Sequence, residues 1–316
     1  MNTFGTHFRL TDFGETHGEC IGGVIDGCPA GIRIDTEFVQ KELDRRAHTV
    51  YDTAKTADCN TRREPDKIRF ISGIYEGKTT GAPLAFLIAN VDAKVNESAN
   101  HVLKPSHNSF VLKEKFGHTC NEQGGRFSAR QTACRVVGGA VAKLILQTLG
   151  ITITAEAESI AEVNDGDTAG AVVSCVIRNV PAGWGDPTYD GLDSQLAAAL
   201  LSIPACKGFE IGEGFRAAAM CGSQYNDTQT TGFVFRSNHD GGVQSGISNG
   251  QDIVIRAAFK PIPTLRFDQP TIDYEGNPAT YTGSTRNDTS VVPRVLPVVE
   301  AMAAMVIADQ FIIHNS

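Results

Sequence analysis

Two rhythms of apolar and polar positions run along this chain. One is short and rich in β-branched residues: IGGVIDG, KIRFISGIYEG, APLAFLIAN, ITITAEAES, AVVSCVIRNV and DIVIRAAFK, each bounded by Gly, Pro or Asn, predict strands. The other recurs every three or four residues and predicts helices over 36–46, 128–149, 190–202 and about 294–313. In the second helix Val137, Val141, Leu144, Ile145 and Leu149 form the apolar stripe, Gly150 supplies the stop, and Ser128 with Gln131 reads as a capping box. No long linker or low-complexity tract divides these elements, so the expectation is a single α/β domain over residues 1–316. VIDGCPAGI (24–32) and VIRNVPAGW (176–184) share V-I-x-x-x-P-A-G, and each precedes a helix that opens near an aspartate, Asp35 or Asp190. A common turn chemistry would give this echo, and so would a duplicated strand–turn–helix unit forming a pseudo-two-fold core.

The longest apolar run, VLPVVEAMAAMVIADQFII, is broken by Pro297, Glu300 and Asp309, which predicts a buried helix and no membrane span. The opening MNTFGTHFRLTDFGE does not read as a signal peptide. The eight cysteines are scattered without a CxxC pair, which predicts reduced thiols and a cytoplasmic location. The histidines show no HxxxH spacing, so no metal site is expected. A net charge of −8 argues against a nucleic-acid partner, because neutralising a phosphate backbone needs a basic face. A small anion stays open, since arginines bunch at 45 and 46, at 62 and 63, and at 126, 130 and 135.

Two glycine-rich stretches carry the candidate chemistry. GETHG (14–18) holds Glu15 and His17 between glycines. It reads either as a solvated turn or as a histidine placed where a ligand can approach the main chain. In QGGRFSAR (123–130) glycines lead into a helix N-terminus flanked by Arg126 and Arg130. Free N–H groups, the helix dipole and guanidinium forks would together hold a phosphate or carboxylate, although an ordinary capped helix with surface arginines has the same local pattern. Neither a Walker A loop nor G-x-G-x-x-G is present. The glycines of NHDGG (238–242) and GISNG (246–250) read as loops able to approach a flat ligand.

Taken in order along nearly the whole chain, FRLTDFGETHG, VIDGCPAGI, ELDRR, RREPD, FISGIYEGKTTGAPL, KPSH, GGRFSAR, PAGWGDP, KGFEIGEGF, SNHDGG, GISNGQDI, FKPIPTL and the C-terminal VEAMAAMV helix resemble the chorismate synthase family. The resemblance implies that family's single-domain β-α-β sandwich. It also implies loss of phosphate and a ring proton from 5-enolpyruvylshikimate 3-phosphate, a small anionic substrate. The family needs reduced FMN for this without net redox change. No reductase domain is visible, so an external reductant is implied, and a homotetramer is expected. By the same resemblance His17, His107 and Asp288 match catalytic positions. Arg46, Lys104, Ala129, Arg130 and Arg286 match substrate-side positions. Arg126, Phe127, Ser128, Ala205, Lys260, Thr264 and again Arg286 match FMN-side positions.

The chain departs from the family pattern in particular places. Thr16 replaces serine, and Ala47 and His48 stand where a third arginine and a turn are usual, with Lys55 a candidate substitute nearby. Lys104 replaces arginine, Phe127 and Gln131 replace serine and glutamate, Pro204 replaces asparagine, and Ser245 replaces glycine. Asn287 precedes Asp288 without the usual following proline, and SIAEVNDGDTAG is far shorter than the family's segment. These changes raise a second expectation beside the lyase. A homologue with weakened FMN binding would act on another anion, or serve as a non-catalytic binding or assembly protein.

Overall fold

The computed structural model describes residues 2–47, 65–91, 102–117, 125–283 and 289–315. Two antiparallel sheets frame it. The first contains β1 (Thr3–Phe4), β2 (Arg9–Gly14), β3 (Cys20–Asp26), β4 (Ile68–Ser72) and β5 (Leu84–Ala89), in the order β1-β2-β3-β5-β4. The second contains β6 (Thr152–Ile160), β7 (Ala171–Arg178), β8 (Cys206–Ile211) and β9 (Ile253–Phe259), in the order β8-β9-β7-β6. The helices are α1 (Thr36–Ala47), α2 (Ser109–Phe116), α3 (Thr132–Gln147), α4 (Leu192–Leu201) and α5 (Val292–His314). A separate hairpin pairs β10 (Asp268–Ile272) with β11 (Pro278–Thr282).

Alternation along the strands decides which face each sheet buries. In β7, Ala171, Val173, Cys175 and Ile177 are buried while the intervening residues are half-exposed, the period of two that a one-sided sheet requires. The buried faces meet a middle layer of helices. α3 packs on α5 and on β2 and β3, while α5 packs on α1, α4, β6 and β7. The α3–α5 contact is close enough that a Cβ on Gly139 would lie 2.2 Å from the Ala301 Cα. Any larger residue there would push the central pair apart.

The internal echo is a duplication of topology. The order β2-β3-β5-β4 in one sheet corresponds to β6-β7-β9-β8 in the other, with α1 and α4 following the second strand of each unit. The likeness extends to single bonds. Gly27 and Asn179 occupy the same turn position at φ 81° and 65°, the left-handed region that favours glycine and tolerates asparagine. The Thr79 hydroxyl donates to the Pro29 carbonyl, and the Ser248 hydroxyl to the Pro181 carbonyl, each at 2.6 Å. The same two hydroxyl oxygens accept from Ile32 N–H and Trp184 N–H, each at 2.9 Å.

Helix starts differ from the sequence reading. Asp35 does cap α1, its carboxylate accepting from Phe38 N–H at 3.0 Å. Asp190 does not cap α4, whose N-cap is Gly191. Ser128 and Gln131 form no capping box. Two 3₁₀ turns, Gly125–Phe127 and Ala129–Gln131, precede α3, and Ser128 caps the second by accepting from Arg130 N–H. Gln131 instead sends its side chain to the Gly14 carbonyl.

Helix α5 is long and apolar enough to cross a membrane, but it lies within the protein. From Val292 to Gln310 every residue except Arg294 is buried. Its two acids are each fully engaged. Asp309 accepts backbone N–H bonds from Thr6, His7 and Phe8 at 2.7, 2.6 and 2.8 Å, which pins the segment between β1 and β2. Asp309→Ala would leave three donors without that carboxylate, and we expect a loss of about 2–3 kcal/mol in denaturant unfolding. The same variant should speed amide exchange in residues 3–14 ahead of the rest of the first sheet.

Candidate active site

GETHG is the turn between β2 and β3. Gly14 sits at φ 93°, and a Cβ there would lie 2.3 Å from the Cys20 carbonyl oxygen, so the chain can reverse here only with glycine. Gly18 N–H closes the turn on the Glu15 carbonyl at 3.1 Å. Thr16 is buried and donates twice to the Gly125 carbonyl, through its N–H at 3.1 Å and its hydroxyl at 2.7 Å. The Gln131 side chain donates to the Gly14 carbonyl at 2.5 Å. The two glycine stretches recognised in the sequence are therefore bound to each other. Held on this turn, the His17 Nδ1 is buried and has no hydrogen-bond partner among the described residues. A turn that merely faced solvent would not bury that nitrogen.

Behind the turn lies a desolvated cluster of charges. Asp66 is 1% exposed, adopts φ 42°, and is shared by two arginines. Arg130 Nη1 lies 2.5 Å and Arg46 Nη1 3.6 Å from its carboxylate oxygens. Arg46 also donates to the Thr132 hydroxyl and the Ala129 carbonyl, both at 2.8 Å. Burial, opposed by Asp66 and reinforced by Arg294 and Arg130, pulls the Arg46 guanidinium down to about 10, still charged at neutral pH. Among the described residues two buried cations share this one carboxylate, an arrangement suited to an anionic ligand.

A cavity of about 530 Å³ opens beside this cluster. Its lining mixes polar residues, Arg46, Ser106, His107, Asn108, Ser128, Lys260 and Arg294 among them, with apolar ones that include Ile262, Pro263, Val295 and Val298. In this lining His107 Nδ1 and Asn108 Oδ1 are buried without hydrogen-bond partners among the described residues. Burial, then Lys104 and Lys260, lower the His107 imidazole to about 4, so it is neutral at pH 7. The neighbours that shift it are cations, and a bound anion would have to reverse them. The Lys260 ammonium donates to the Ser106 carbonyl at 2.7 Å, joining the 260 loop to the His107 segment.

Of the expected residues, Arg46, His107, Phe127, Ser128, Ala129, Ala205 and Lys260 line the cavity. Arg130 does not line it; it lies between Asp66 and the GETHG turn. Lys104 also lies off the wall, half-buried, with its ammonium 5.6 Å from the Tyr281 ring centroid and its pKa lowered by burial. Thr264 is half-buried and does not line the cavity. Arg126 belongs to the 3₁₀ turn Gly125–Phe127. Arg286, Asp288, Asn287, His48 and Lys55 fall outside the described residues.

The edited positions leave the cavity open. Phe127 and Pro204 both line it, and Phe127 stacks on Phe116 of α2 with centroids 5.3 Å apart. They also line an adjoining cavity of about 460 Å³ that contains Asp12, Glu15 and Arg135. Ser245 takes the left-handed φ of 51° in place of glycine and lines neither cavity. The NHDGG and GISNG glycines pack on backbone, not on a ligand space: Gly246 abuts Asp186 and Gly191, and Gly241 abuts Gly212. Three residues of the site escaped the sequence reading: Asp66, Asn90 and Arg294. Asp66 lies in RREPD and Asn90 closes APLAFLIAN, but neither segment tells the role of its residue; that of Asp66 depends on partners 20 and 64 positions away.

The sequence profile described as Chorismate synthase matches residues 8–165 and 160–312. The two matches meet inside the segment read as shortened. A chorismate synthase of Christiangramia forsetii is 42% identical over 354 aligned positions, covering 100% of this chain and 98% of its own. One from Bacteroides fragilis is 43% identical over 358 positions, covering 100% and 99%. Both alignments exceed the chain's 316 residues, as a chain with an internal deletion requires. A solved chorismate synthase crystal structure superposes with a TM-score of 0.77 at 27% identity, covering 98% of this chain and 93% of that one.

Proposed function

Because the chain belongs to the chorismate synthase family, we infer that its reaction is the family's. It is a carbon–oxygen lyase that eliminates phosphate from 5-enolpyruvylshikimate 3-phosphate to form chorismate, in the biosynthesis of aromatic amino acids. The observation that carries this reading is a cavity lined by Arg46 and His107, whose Nδ1 is buried without a hydrogen-bond partner among the described residues, beside the buried Arg46–Asp66–Arg130 cluster.

The substrate bears two carboxylates and a phosphate, and the chain supplies matching cations. Arg46 faces the cavity with its planar fork held by Thr132 and Ala129, so it meets an anion without first losing rotamer freedom. Arg130, fixed by Asp66, offers the same on the side of the GETHG turn. His17 donates a proton near the departing phosphate, and the charge growing on that oxygen is what makes a histidine an effective donor. His107 and Lys260 act on the cofactor side, with Asp288 and Arg286 completing the set.

The cavity suits reduced FMN: apolar lining residues for a flat ring, polar ones that include two buried atoms without a partner among the described residues, and a volume of about 530 Å³ with Phe127 and Pro204 in its lining. Reduced FMN, when bound, supplies electron density beside the breaking C–O bond and is not consumed. Ser128 and Ala205 would hold it at the rim, and Lys260 would meet its negative charge. A cytoplasmic homotetramer supplied by an external reductant completes the proposal. The six cysteines among the described residues are free thiols, in keeping with a reducing compartment.

Anaerobic titration with chemically reduced FMN and substrate tests the reading. The expected result is saturable flavin absorbance change, chorismate formation, and net proton uptake on binding, measured by calorimetry in buffers of different ionisation enthalpy. Proton uptake follows from the sign of the His107 shift. The free group is neutral at pH 7, and anionic ligands raise its affinity for a proton. His107→Ala should abolish that uptake and lower turnover while leaving the fold intact. No saturable binding on the order of tens of micromolar would overturn the lyase reading and leave the FMN-independent homologue.

A further inference from the structure

We propose that Asn90 is a positioning residue that sets His17 and Arg130 in mutual register; the assignment rests on the lyase reading above. Asn90 lies one position beyond β5, and its N–H donates to the Glu19 carbonyl at 2.9 Å, extending the β3–β5 ladder past Cys20 and Ala89. Its backbone is thus fixed by the sheet, leaving the amide to act on what lies beyond.

Both ends of that amide are used, in opposite directions. The Nδ2 group donates to the Glu15 carbonyl at 2.9 Å and to the Gly18 carbonyl at 2.8 Å, the two carbonyls that bracket His17. The Oδ1 atom accepts from Arg130 Nε at 3.1 Å. The opposite edge of the guanidinium meets Asp66 through Nη1. One side chain therefore clamps the turn bearing the proton donor and orients the guanidinium beside it. No other residue type of that length offers two donors and an acceptor in one plane. Aspartate keeps the acceptor, loses the donors and brings a negative charge.

The fixed geometry also explains why the turn stays closed with His17 Nδ1 unpartnered among the described residues. Gly18 N–H to Glu15 is a single bond across a four-residue turn, and the Thr16 bonds to Gly125 hold its first half. Asn90 spans both sides. Without it, the turn would retain its attachment to Gly125 while the His17 ring lost its heading.

Steady-state kinetics of Asn90→Asp and Asn90→Ala, normalised to the folded fraction from thermal melts, test the proposal. Asn90→Asp should lower kcat by about 10- to 100-fold because His17 loses its clamp, and should also raise KM for the enolpyruvyl phosphate because the new carboxylate offsets the charge of Arg130. Asn90→Ala should show the same fall in kcat and likewise a rise in KM. A merely structural role would reduce the folded fraction and leave kcat and KM per folded enzyme unchanged in both variants, which overturns the proposal. A rise in KM with unaltered kcat in Asn90→Asp overturns it equally. An inactive wild-type protein under reducing anaerobic conditions would instead refute the lyase reading on which the assignment rests.

Discussion

Replacing His17 with alanine is expected to lower kcat by about 10²- to 10⁴-fold, the range a positioned general acid contributes. The melting temperature should stay close to that of the wild type. The second half of that expectation is as specific as the first. Among the described residues His17 Nδ1 makes no hydrogen bond, and the turn is closed by Gly18, Thr16, Gln131 and Asn90 without using the imidazole. Removing the ring therefore leaves no group stranded. Most buried polar side chains behave in the opposite way, because their truncation abandons a partner. Activity lost without stability lost is the signature of a group whose partner is the substrate. A kcat within twofold of wild type would remove His17 from the reaction. A fall in melting temperature large enough to account for the lost activity would make it a structural residue.

That histidine was visible in the sequence because GETHG is compositionally odd, but what makes it functional was not. The bond from Thr16 to Gly125 spans 109 positions, and the one from Arg130 to Asp66 spans 64. No local pattern reports such pairings. Strands with one buried face were legible in AVVSCVIR and IVIRAAF, where β-branched residues alternate regularly, but not in RLTDFG, which forms β2 with a similar alternation and no such residue except Thr11. β8 was missed because CKGFEI carries a glycine at a register shift opposite β9, which breaks the alternation. The β10–β11 hairpin was missed because its strands, DQPTI and PATYT, are polar and each contains proline. Helix α2 was missed for a different reason. SFVLKEKF leaves Phe110, Val111 and Phe116 exposed, so it has no apolar stripe facing a core.

The duplicated V-I-x-x-x-P-A-G motif shows the other side of this. Turn chemistry is local, so the shared proline, the left-handed position before it and the glycine after it survive in the sequence although the two halves differ elsewhere. The hydroxyls that brace the two turns, on Thr79 and Ser248, are distant in sequence and leave no such trace. Among the site residues, Asn90 and Asp66 are the same case. Each is an ordinary polar residue at the end of, or before, a strand, and each acquires its function from what the fold brings to it. The edited pocket positions also needed the structure. Pro204 and Phe127 look like obstructions in a one-dimensional comparison, whereas in space they line an open cavity.

Replacing Glu300 with alanine should destabilise the protein by about 3–5 kcal/mol, the effect of removing one partner from a buried ion pair. Glu300 sits on α5 at the junction of α1, α3 and β6. It receives a two-pronged contact from Arg45 at 2.7 and 2.8 Å, the Lys143 ammonium at 2.6 Å, and the Ala155 N–H at 3.0 Å. Lys143 also meets Glu42 at 2.5 Å, so two acids and two bases balance inside the helix layer. Without Glu300 the cluster carries a surplus positive charge at Lys143, which is buried and cannot reach water as Arg45 can. The variant should also change the pH dependence of stability. Burial alone would raise the Glu300 carboxyl, but Arg45 and Lys143 overcome it and hold it below its ordinary value of 4.5. A carboxyl depressed in the folded state contributes stability that is fully present above its unfolded value and is lost as pH falls through the folded one. Wild type should therefore lose stability steeply below about pH 4.5, and Glu300→Gln, which keeps the shape and an acceptor but not the charge, should flatten that acid limb. Urea unfolding at pH 7 and at successive pH values below 5 checks both expectations. An alanine variant within about 1 kcal/mol of wild type would mean that the four charges are solvated in place and that the helix layer is held by its apolar packing alone.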